Sequence, residues 1–271
     1  MIENYKLKIS LVQAKSDPDK GVTLKKIENY VSRAKEQKSD LIVFPEIFMF
    51  YSPVEESNDI RSVKSEPLNG KYVGRIKKIA KKHNISIIVG VYEKINGKSK
   101  IYNTTILVND KGELDLIYRK THLYDAFNFK ESEIYLSSNN DFPIFKLGKF
   151  KIGLMVCYEI RFPEIARTLA LKGVDAIIVP SAWVKGYNKE DQWLTLVKAR
   201  AIENTIYVLT SNQIGNVFTG ITCVADPMGN IIMRASEEEG IITTELRKER
   251  INEVRKAVPV LKQRKSELYK L

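Results

Sequence analysis

Three reactive side chains stand at the ends of apolar, strand-like runs in distant parts of the sequence. Glu46 closes the run Leu-Ile-Val-Phe-Pro-Glu, Lys120 closes Leu-Ile-Tyr-Arg-Lys, and Cys157 closes Gly-Leu-Met-Val-Cys. If these strands lie side by side and point the same way, a carboxylate, an ammonium group and a thiol meet at one edge of a sheet. A thiol can attack a carbonyl carbon, a carboxylate can transfer protons, and an ammonium group can stabilise the resulting oxyanion.

Each of these residues also has an ordinary structural interpretation. An unpaired cysteine is most often a small buried apolar residue, and most glutamates and lysines are exposed. Glu46, however, lies between Phe-Pro and Ile-Phe-Met-Phe, where an unpaired charge would be costly. His122 is a further candidate, since histidine commonly activates a cysteine. A Cys157–His122 dyad would nevertheless leave the carboxylate and lysine motifs without a role.

The three motifs, in this order, resemble the glutamate-lysine-cysteine triad of the nitrilase superfamily, the carbon-nitrogen hydrolases. The resemblance extends from Ile-Ser-Leu-Val-Gln at residues 9–13 to the segment 258–269. The chain looks most like the short amidase branch that holds omega-amidases and deaminated-glutathione amidases. Two features indicate this: Cys157 is followed by Tyr-Glu rather than by tryptophan, and residues 125–132 match the loop that carries a second glutamate in that branch.

The resemblance implies a cofactor-independent amidase that acts on a small primary amide through a thioester. Cys157 would be the nucleophile and Glu46 the group that transfers protons. Lys120 and the backbone N–H of Tyr158 would hold the oxyanion, and Glu131 would orient Lys120 and the substrate amide. Glu133 is the alternative to Glu131, because it would project to the same side of an extended segment. The sequence has neither a Walker A motif nor a GxGxxG motif, so no nucleotide cofactor is expected.

The substrate is harder to infer than the reaction. By its position in the family, Trp183 should line the acyl side of the site, and Arg161 is a candidate for holding a distal carboxylate of a dicarboxylic acid monoamide. The chain departs from its relatives at residues 188–193, which replace a Gly-Pro-x-His-Trp sequence, and at residues 220–222, which replace Gly-His-Ser. An N-carbamoyl amidase or a nitrilase activity therefore remains an alternative.

Composition excludes several other classes of protein. The chain is 44% hydrophobic and 28% charged, without an apolar run long enough to cross a bilayer or a signal-peptide core at its start, so we expect a cytoplasmic protein without membrane association. Cys157 and Cys223 are expected to be free thiols, with Cys223 buried in a strand. His83 and His122 belong to no HExxH or CxxC pattern, so no metal site is expected.

The formal net charge of +11 raises the alternative of a basic, non-catalytic protein that associates with nucleic acid. The densest basic segment, residues 75–82, has instead the pattern of an amphipathic helix. Ile76, Ile79 and Ala80 form its apolar stripe, and the lysines lie on its other side. We therefore expect a solvated helix face and no nucleic-acid partner.

Apolar runs of four to eight residues, predicted as strands, alternate with segments of helical periodicity, which indicates an α/β fold with one domain over residues 1–271. Five helices are predicted, over about residues 21–37, 72–83, 162–172, 191–204 and 248–254. The resemblance implies a four-layer αββα sandwich. Residues 257–271 form a basic tail with scattered apolar side chains. We expect this tail to pack at a subunit interface of a homodimer or a larger even-numbered homo-oligomer.

Overall fold

Two six-stranded sheets form the centre of the protein. The structure is a computed structural model that describes residues 5–53 and 58–269, with the side chains of residues 58 and 59 excepted. Its helices are α1 Lys20–Glu36, α2 Asn58–Lys64, α3 Lys71–His83, α4 Pro163–Leu171, α5 Lys189–Ile202 and α6 Lys248–Ala257. Its strands are β1 Lys6–Gln13, β2 Leu41–Val43, β3 Ser86–Glu93, β4 Tyr102–Val108, β5 Leu114–Arg119, β6 Asp125–Ala126, β7 Phe129–Lys130, β8 Ile144–Leu147, β9 Phe150–Leu154, β10 Ala176–Ser181, β11 Tyr207–Asn212, β12 Ile214–Gly215, β13 Phe218–Thr219, β14 Cys223–Ala225, β15 Ile231–Arg234 and β16 Gly240–Arg247.

The two sheets share one plan, in which parallel central strands are flanked by antiparallel ones. The first sheet has the order β16-β1-β2-β3-β4-β5, and the second has the order β15-β14-β11-β10-β9-β8. Strands β1, β2 and β3 are parallel, as are β9, β10 and β11. β5 also runs parallel to β3, because each is antiparallel to β4. The chain therefore leaves β2, β3 and β5 at the same edge of the first sheet.

Successive side chains of the central strands point to opposite faces of the sheet, which explains how the sheets and helices form layers. In β2, Leu41 and Val43 belong to the core between the sheets, whereas Ile42 belongs to a second core beneath the outer helices. Ile76 and Ile79 of α3 are buried in that second core. Helices α4 and α5 cover the outer face of the second sheet in the same way, with apolar side chains in the first core. The result is a four-layer αββα sandwich in one domain, as predicted.

The predicted strands and the five predicted helices are present, with small shifts at their ends. The sequence pattern did not reveal α2 or the two short hairpins, β6–β7 and β12–β13, because these elements have too few residues for a periodic pattern. Helix α5 begins at Lys189 rather than at the predicted Asp191, after a left-handed Asn188. Across the described segments of the chain, no helix has the length and apolarity that a membrane crossing requires.

Candidate active site

Glu46, Lys120 and Cys157 lie at the ends of strands that leave the two sheets on the same side. Glu46 follows β2, Lys120 follows β5, and Cys157 comes three residues after β9. All three are buried: the exposed fractions of Glu46, Lys120 and Cys157 are 2%, 1% and 7%. A buried thiol beside a buried ion pair is an arrangement that stability alone does not require, since desolvating the charges costs free energy.

Glu46 is held by donors on both of its carboxylate oxygens. Its Oε1 accepts from Lys120 Nζ at 2.9 Å and from Asn103 Nδ2 at 2.8 Å. Its Oε2 accepts at 2.9 Å from the backbone N–H of Ala182, the residue that follows β10. Gln213 Nε2 also donates to the Glu46 carbonyl oxygen at 2.9 Å. Groups from both sheets thus fix the position and the orientation of this carboxylate.

The backbone beside Glu46 has an unusual conformation and very little space. Ile47 has φ +46, a left-handed value that is rare for a β-branched residue. Gly90 of β3 packs directly against this turn. A Cβ at Gly90 would lie 2.9 Å from the Glu46 Cα and closer still to the Ile47 nitrogen. Glycine at position 90 therefore leaves the space that the Glu46–Ile47 turn occupies beside β3.

Lys120 joins two carboxylates. Its Nζ donates to Glu46 Oε1 and to Glu131 Oε2, both at 2.9 Å. Burial alone would lower the pKa of Lys120, but the charges of Glu131 and Glu46 outweigh burial and raise the pKa well above its ordinary value. Burial, opposed by Lys120 and reinforced by Glu46, raises the pKa of Glu131. Lys120 therefore stays a cation throughout the neutral range.

The segment that carries the second glutamate is a 3-10 turn over Glu131–Glu133 rather than an extended strand. In such a turn, residues two apart do not share a side. Glu131 points inward, where it also accepts from the backbone N–H of Tyr124 at 2.7 Å. Glu133 is exposed and lies 3.8 Å from Lys130. The structure thus places Glu131, and not Glu133, beside Lys120.

Cys157 begins a 3-10 turn, Cys157–Arg161, and has φ +47. Burial raises the pKa of the Cys157 thiol well above its ordinary value, and the negative charge of Glu46 raises it further. Lys120 and the Ala182 N–H oppose these effects without cancelling them. These effects favour the neutral thiol, and Glu46 lies close enough to accept its proton.

Glu159 ties the Cys157 turn to the segment after Lys120. Its Oε2 accepts from the backbone N–H of Val156 at 2.7 Å, and its Oε1 accepts from the Tyr118 hydroxyl at 2.8 Å. The backbone N–H and the hydroxyl of Thr121 donate to the same Oε1 at 2.8 and 2.7 Å. Because Glu159 is completely buried, these bonds fix the two segments relative to each other.

His122 is engaged elsewhere. Its Nδ1 shares a hydrogen bond of 2.8 Å with the Thr121 hydroxyl, and its ring lies 4.1 Å from the ring of Phe162. The groups with the largest effects on the Cys157 thiol, by contrast, include Glu46, Lys120 and the backbone N–H of Ala182. The geometry favours the carboxylate and lysine motifs over a Cys157–His122 dyad.

A cationic and aromatic wall, formed by Arg161, Trp183 and Lys189, lies beside Cys157. The Arg161 guanidinium lies 4.9 Å from the centre of the Trp183 ring and donates to Gln192 Oε1 at 2.7 Å. Trp183 is buried, packs against Trp193 with the ring centres 4.9 Å apart, and donates from Nε1 to the Lys189 carbonyl oxygen at 2.8 Å. Trp183 is therefore both a core residue and a part of this wall.

Tyr158 lies between the nucleophile and a group of aromatic rings. Its ring makes edge contacts with Tyr124 at 5.1 Å and with Phe162 at 5.5 Å. Cys223, by contrast, lies in β14, completely buried, with Thr210 Oγ1 3.6 Å from its sulfur. Burial raises the pKa of Cys223 to about 11. Both cysteines are free, as predicted. Within residues 5–53 and 60–269, no group of His, Cys, Asp and Glu side chains could hold a metal ion.

Three residues of the site were missed by the sequence interpretation. Asn103 could have been recognised from the sequence, because it is a polar residue near the start of the apolar strand β4. Glu159 was used only to distinguish branches of the superfamily. Lys189 was noted only as part of a segment that departs from the family pattern. Its Nζ lies 3.9 Å from the centre of the Phe127 ring.

The same architecture occurs in known proteins. A family model described as carbon-nitrogen hydrolase matches residues 8–256. An omega-amidase of Saccharomyces cerevisiae is 36% identical over 99% of this chain and 96% of its own length. A deaminated glutathione amidase of Escherichia coli is 32% identical over 87% of this chain and 88% of its own length. The crystal structure of Saccharomyces cerevisiae Nit3, a nitrilase-superfamily member, superimposes with a TM-score of 0.85 at 32% identity, covering 96% of this chain and 97% of that one.

Both the sequence and the layered structure thus agree with the relatives over almost the whole chain. Two of these relatives are named amidases, the Nit3 structure is a member of the nitrilase superfamily, and the matching family model is that of the carbon-nitrogen hydrolases. The chain belongs to the carbon-nitrogen hydrolase family and is an amidase of the nitrilase superfamily.

Proposed function

We propose that this protein hydrolyses the terminal amide of a small dicarboxylic acid monoamide through a thioester on Cys157. One observation carries the proposal: a single buried carboxylate, Glu46, accepts a hydrogen bond from Lys120 and also acts on the Cys157 thiol. A neutral nucleophile, a base and a fixed cation thereby share one water-poor site. These are the groups that acyl transfer from an amide requires.

The cycle begins with a neutral thiol. Glu46 accepts the thiol proton as the sulfur attacks the amide carbon, and the proton then passes to the departing nitrogen, which leaves as ammonia. Lys120 and the Tyr158 backbone N–H stabilise the oxyanion of the tetrahedral intermediate. Water activated by Glu46 hydrolyses the thioester, releases the carboxylic acid and returns the proton to the sulfur. Glu131 keeps Lys120 oriented and charged during both steps.

The positive charge of the wall beside Cys157 supports a dicarboxylic acid monoamide as the substrate. Arg161 lies in that wall and presents donors beyond the one bound to Gln192. A guanidinium binds a carboxylate well because its donors match the two carboxylate oxygens. The names of several relatives, omega-amidase and 2-oxoglutaramate amidase, agree with a substrate of this kind.

Ammonia release from matched substrates tests the proposal. We expect succinamate to be hydrolysed far faster than 3-cyanopropanoate or an N-carbamoyl amino acid of similar length. Cys157→Ala should abolish the activity, whereas Cys223→Ala, a change at the other cysteine, should leave it nearly unchanged. A kcat/KM for the nitrile or the carbamoyl compound at or above that of the amide would reject the amide assignment. Activity of Cys157→Ala within tenfold of wild type would reject the cysteine mechanism.

A further inference from the structure

Lys189 is a buried cation beside the nucleophile that the reaction cycle above does not use. It is the first residue of α5 and is 7% exposed. Its Nζ lies 3.9, 5.4 and 5.5 Å from the ring centres of Phe127, Tyr124 and Trp183, and 3.4 Å from the Tyr124 hydroxyl. Aromatic faces thus surround the ammonium group on several sides.

Lys189 and Arg161 form a pair of like charges. Burial lowers the pKa of Lys189, and the positive charge of Arg161 lowers it further, while Cys157 acts in the opposite direction. Arg161 and Cys157 also both influence Tyr124, so these four side chains share one small region. In the described part of the chain, no Asp or Glu oxygen lies within 4.0 Å of either cation. Two adjacent cations without a carboxylate are unfavourable in a protein that binds no anion there.

The start of α5 lies beside these cations. The N-terminal end of a helix carries a partial positive charge, and no side chain caps the one that begins at Lys189. Glu190 and Asp191 in its first turn are both exposed. Arg161 approaches from the turn that also carries Cys157, and Trp183 lies within 5.5 Å of both cationic groups. The two cations and the helix end therefore lie around the Trp183 ring, in the wall of the site.

We propose that Lys189 is a specificity-determining residue that, together with Arg161, binds the distal carboxylate of the amide substrate. The inference rests on the proposed function and extends it, because it names the group that selects an anionic substrate over a neutral one. Arg161 can bind both oxygens of a carboxylate from one side, and Lys189 adds a second charge from the α5 side. The aromatic rings hold the ammonium group in place before substrate arrives, which reduces the entropy lost on binding.

The test compares succinamate with butanamide, which has a methyl group in place of the carboxylate. Wild type should strongly prefer succinamate. Lys189→Met should lower kcat/KM for succinamate by roughly 10- to 100-fold, mainly by raising KM. The same variant should affect butanamide far less, because the lost hydrogen bond to a charged group weakens the binding of the anionic substrate only. Lys189→Arg should restore much of the preference. Lys185→Met, which removes an exposed lysine from the same loop, should keep the preference of wild type.

The outcomes separate this inference from the proposed function. An equal loss on both substrates in Lys189→Met would mean that Lys189 only supports the structure. Wild type that hydrolyses both amides equally well would overturn the inference and leave the amidase function standing. If the wild-type protein is folded by circular dichroism but releases ammonia from neither amide, the proposed function and this inference are both rejected.

Discussion

Glu46 illustrates how one side chain can take several roles because of where its two oxygens point. Oε1 faces Lys120 and Asn103, and Oε2 faces the backbone N–H of Ala182. The same carboxylate raises the pKa of the Cys157 thiol. A catalytic cysteine is often described as a thiolate held ready by a cation. Here burial, reinforced by the Glu46 carboxylate, raises the pKa of the thiol and so favours its protonated form.

This arrangement predicts an unusual response to Glu46→Gln. Removing the carboxylate should lower the pKa of Cys157, because the negative charge is gone while Lys120 remains. The thiolate is the form that reacts with iodoacetamide, so inactivation should begin at a lower pH in Glu46→Gln than in wild type. Amide turnover should fall by at least about a hundredfold at the same time, since the proton acceptor is lost.

Inactivation rates measured across the pH range, with peptide mapping of the adduct, check this prediction. Cys223→Ala is the background for both measurements, so that only one thiol remains. An unchanged or upward-shifted inactivation profile in Glu46→Gln would show that Glu46 does not control the charge of Cys157.

At the scale of elements, the ends of parallel strands bring the reactive groups Glu46, Lys120 and Cys157 together. The close packing of the turn after β2 against β3 determines the position of Glu46 relative to the other two groups. Gly90 of β3 packs directly against the Glu46–Ile47 turn, with no space for a Cβ. Gly90→Ala should push Glu46 away from Lys120 and Cys157 and lower kcat by roughly a hundredfold, because small displacements of a catalytic group are costly.

Gly74→Ala is the matched control. Gly74 lies inside α3, and no atom lies within 4 Å of the position that its Cβ would take. This change should keep kcat and raise the free energy of unfolding by roughly 0.5–1 kcal/mol, because alanine favours a helix. Steady-state kinetics and urea unfolding of both variants distinguish displaced catalytic groups from general destabilisation. Wild-type kcat in Gly90→Ala would show that the turn can shift without moving Glu46.

Local patterns in the sequence predicted the elements, and the same patterns together with the resemblance to a known family indicated three side chains of the site. Apolar runs mark the strands, and Glu46, Lys120 and Cys157 stand directly after such runs. The partners of these residues depend on pairings across long distances in the sequence, which no local pattern encodes. Asn103 meets Glu46 from 57 residues away, and Lys189 enters the wall because α5 begins earlier than predicted.

At the scale of the whole molecule, the C-terminal tail leaves apolar side chains in water. Val258, Leu268 and Tyr269 are exposed, although the preceding helix α6 is anchored by buried Ile251 and Val254. Residues 270 and 271 lie outside the described residues. An isolated subunit gains nothing from exposing such side chains, so we expect them to be covered in a symmetric homo-oligomer.

Deleting residues 258–271 should therefore reduce the oligomer. Light scattering at micromolar concentration is expected to show a dimer or larger even-numbered assembly for the full chain and a smaller species for the shortened one. Unchanged far-ultraviolet circular dichroism would confirm that the shortened chain still folds. A full chain that is monomeric, or an assembly that survives the deletion, would contradict this expectation.

The contact between Trp183 and Trp193 gives the protein a built-in optical reporter. The chain has two tryptophans, and these are the two rings that pack against each other beside Arg161 and Lys189. Indole emission depends on nearby charges, and here all of it originates within one wall of the site. A carboxylate that binds between the two cations should change that emission in the unmodified protein, without a label. Stopped-flow fluorescence could then time substrate binding and acid release as separate events in each turnover.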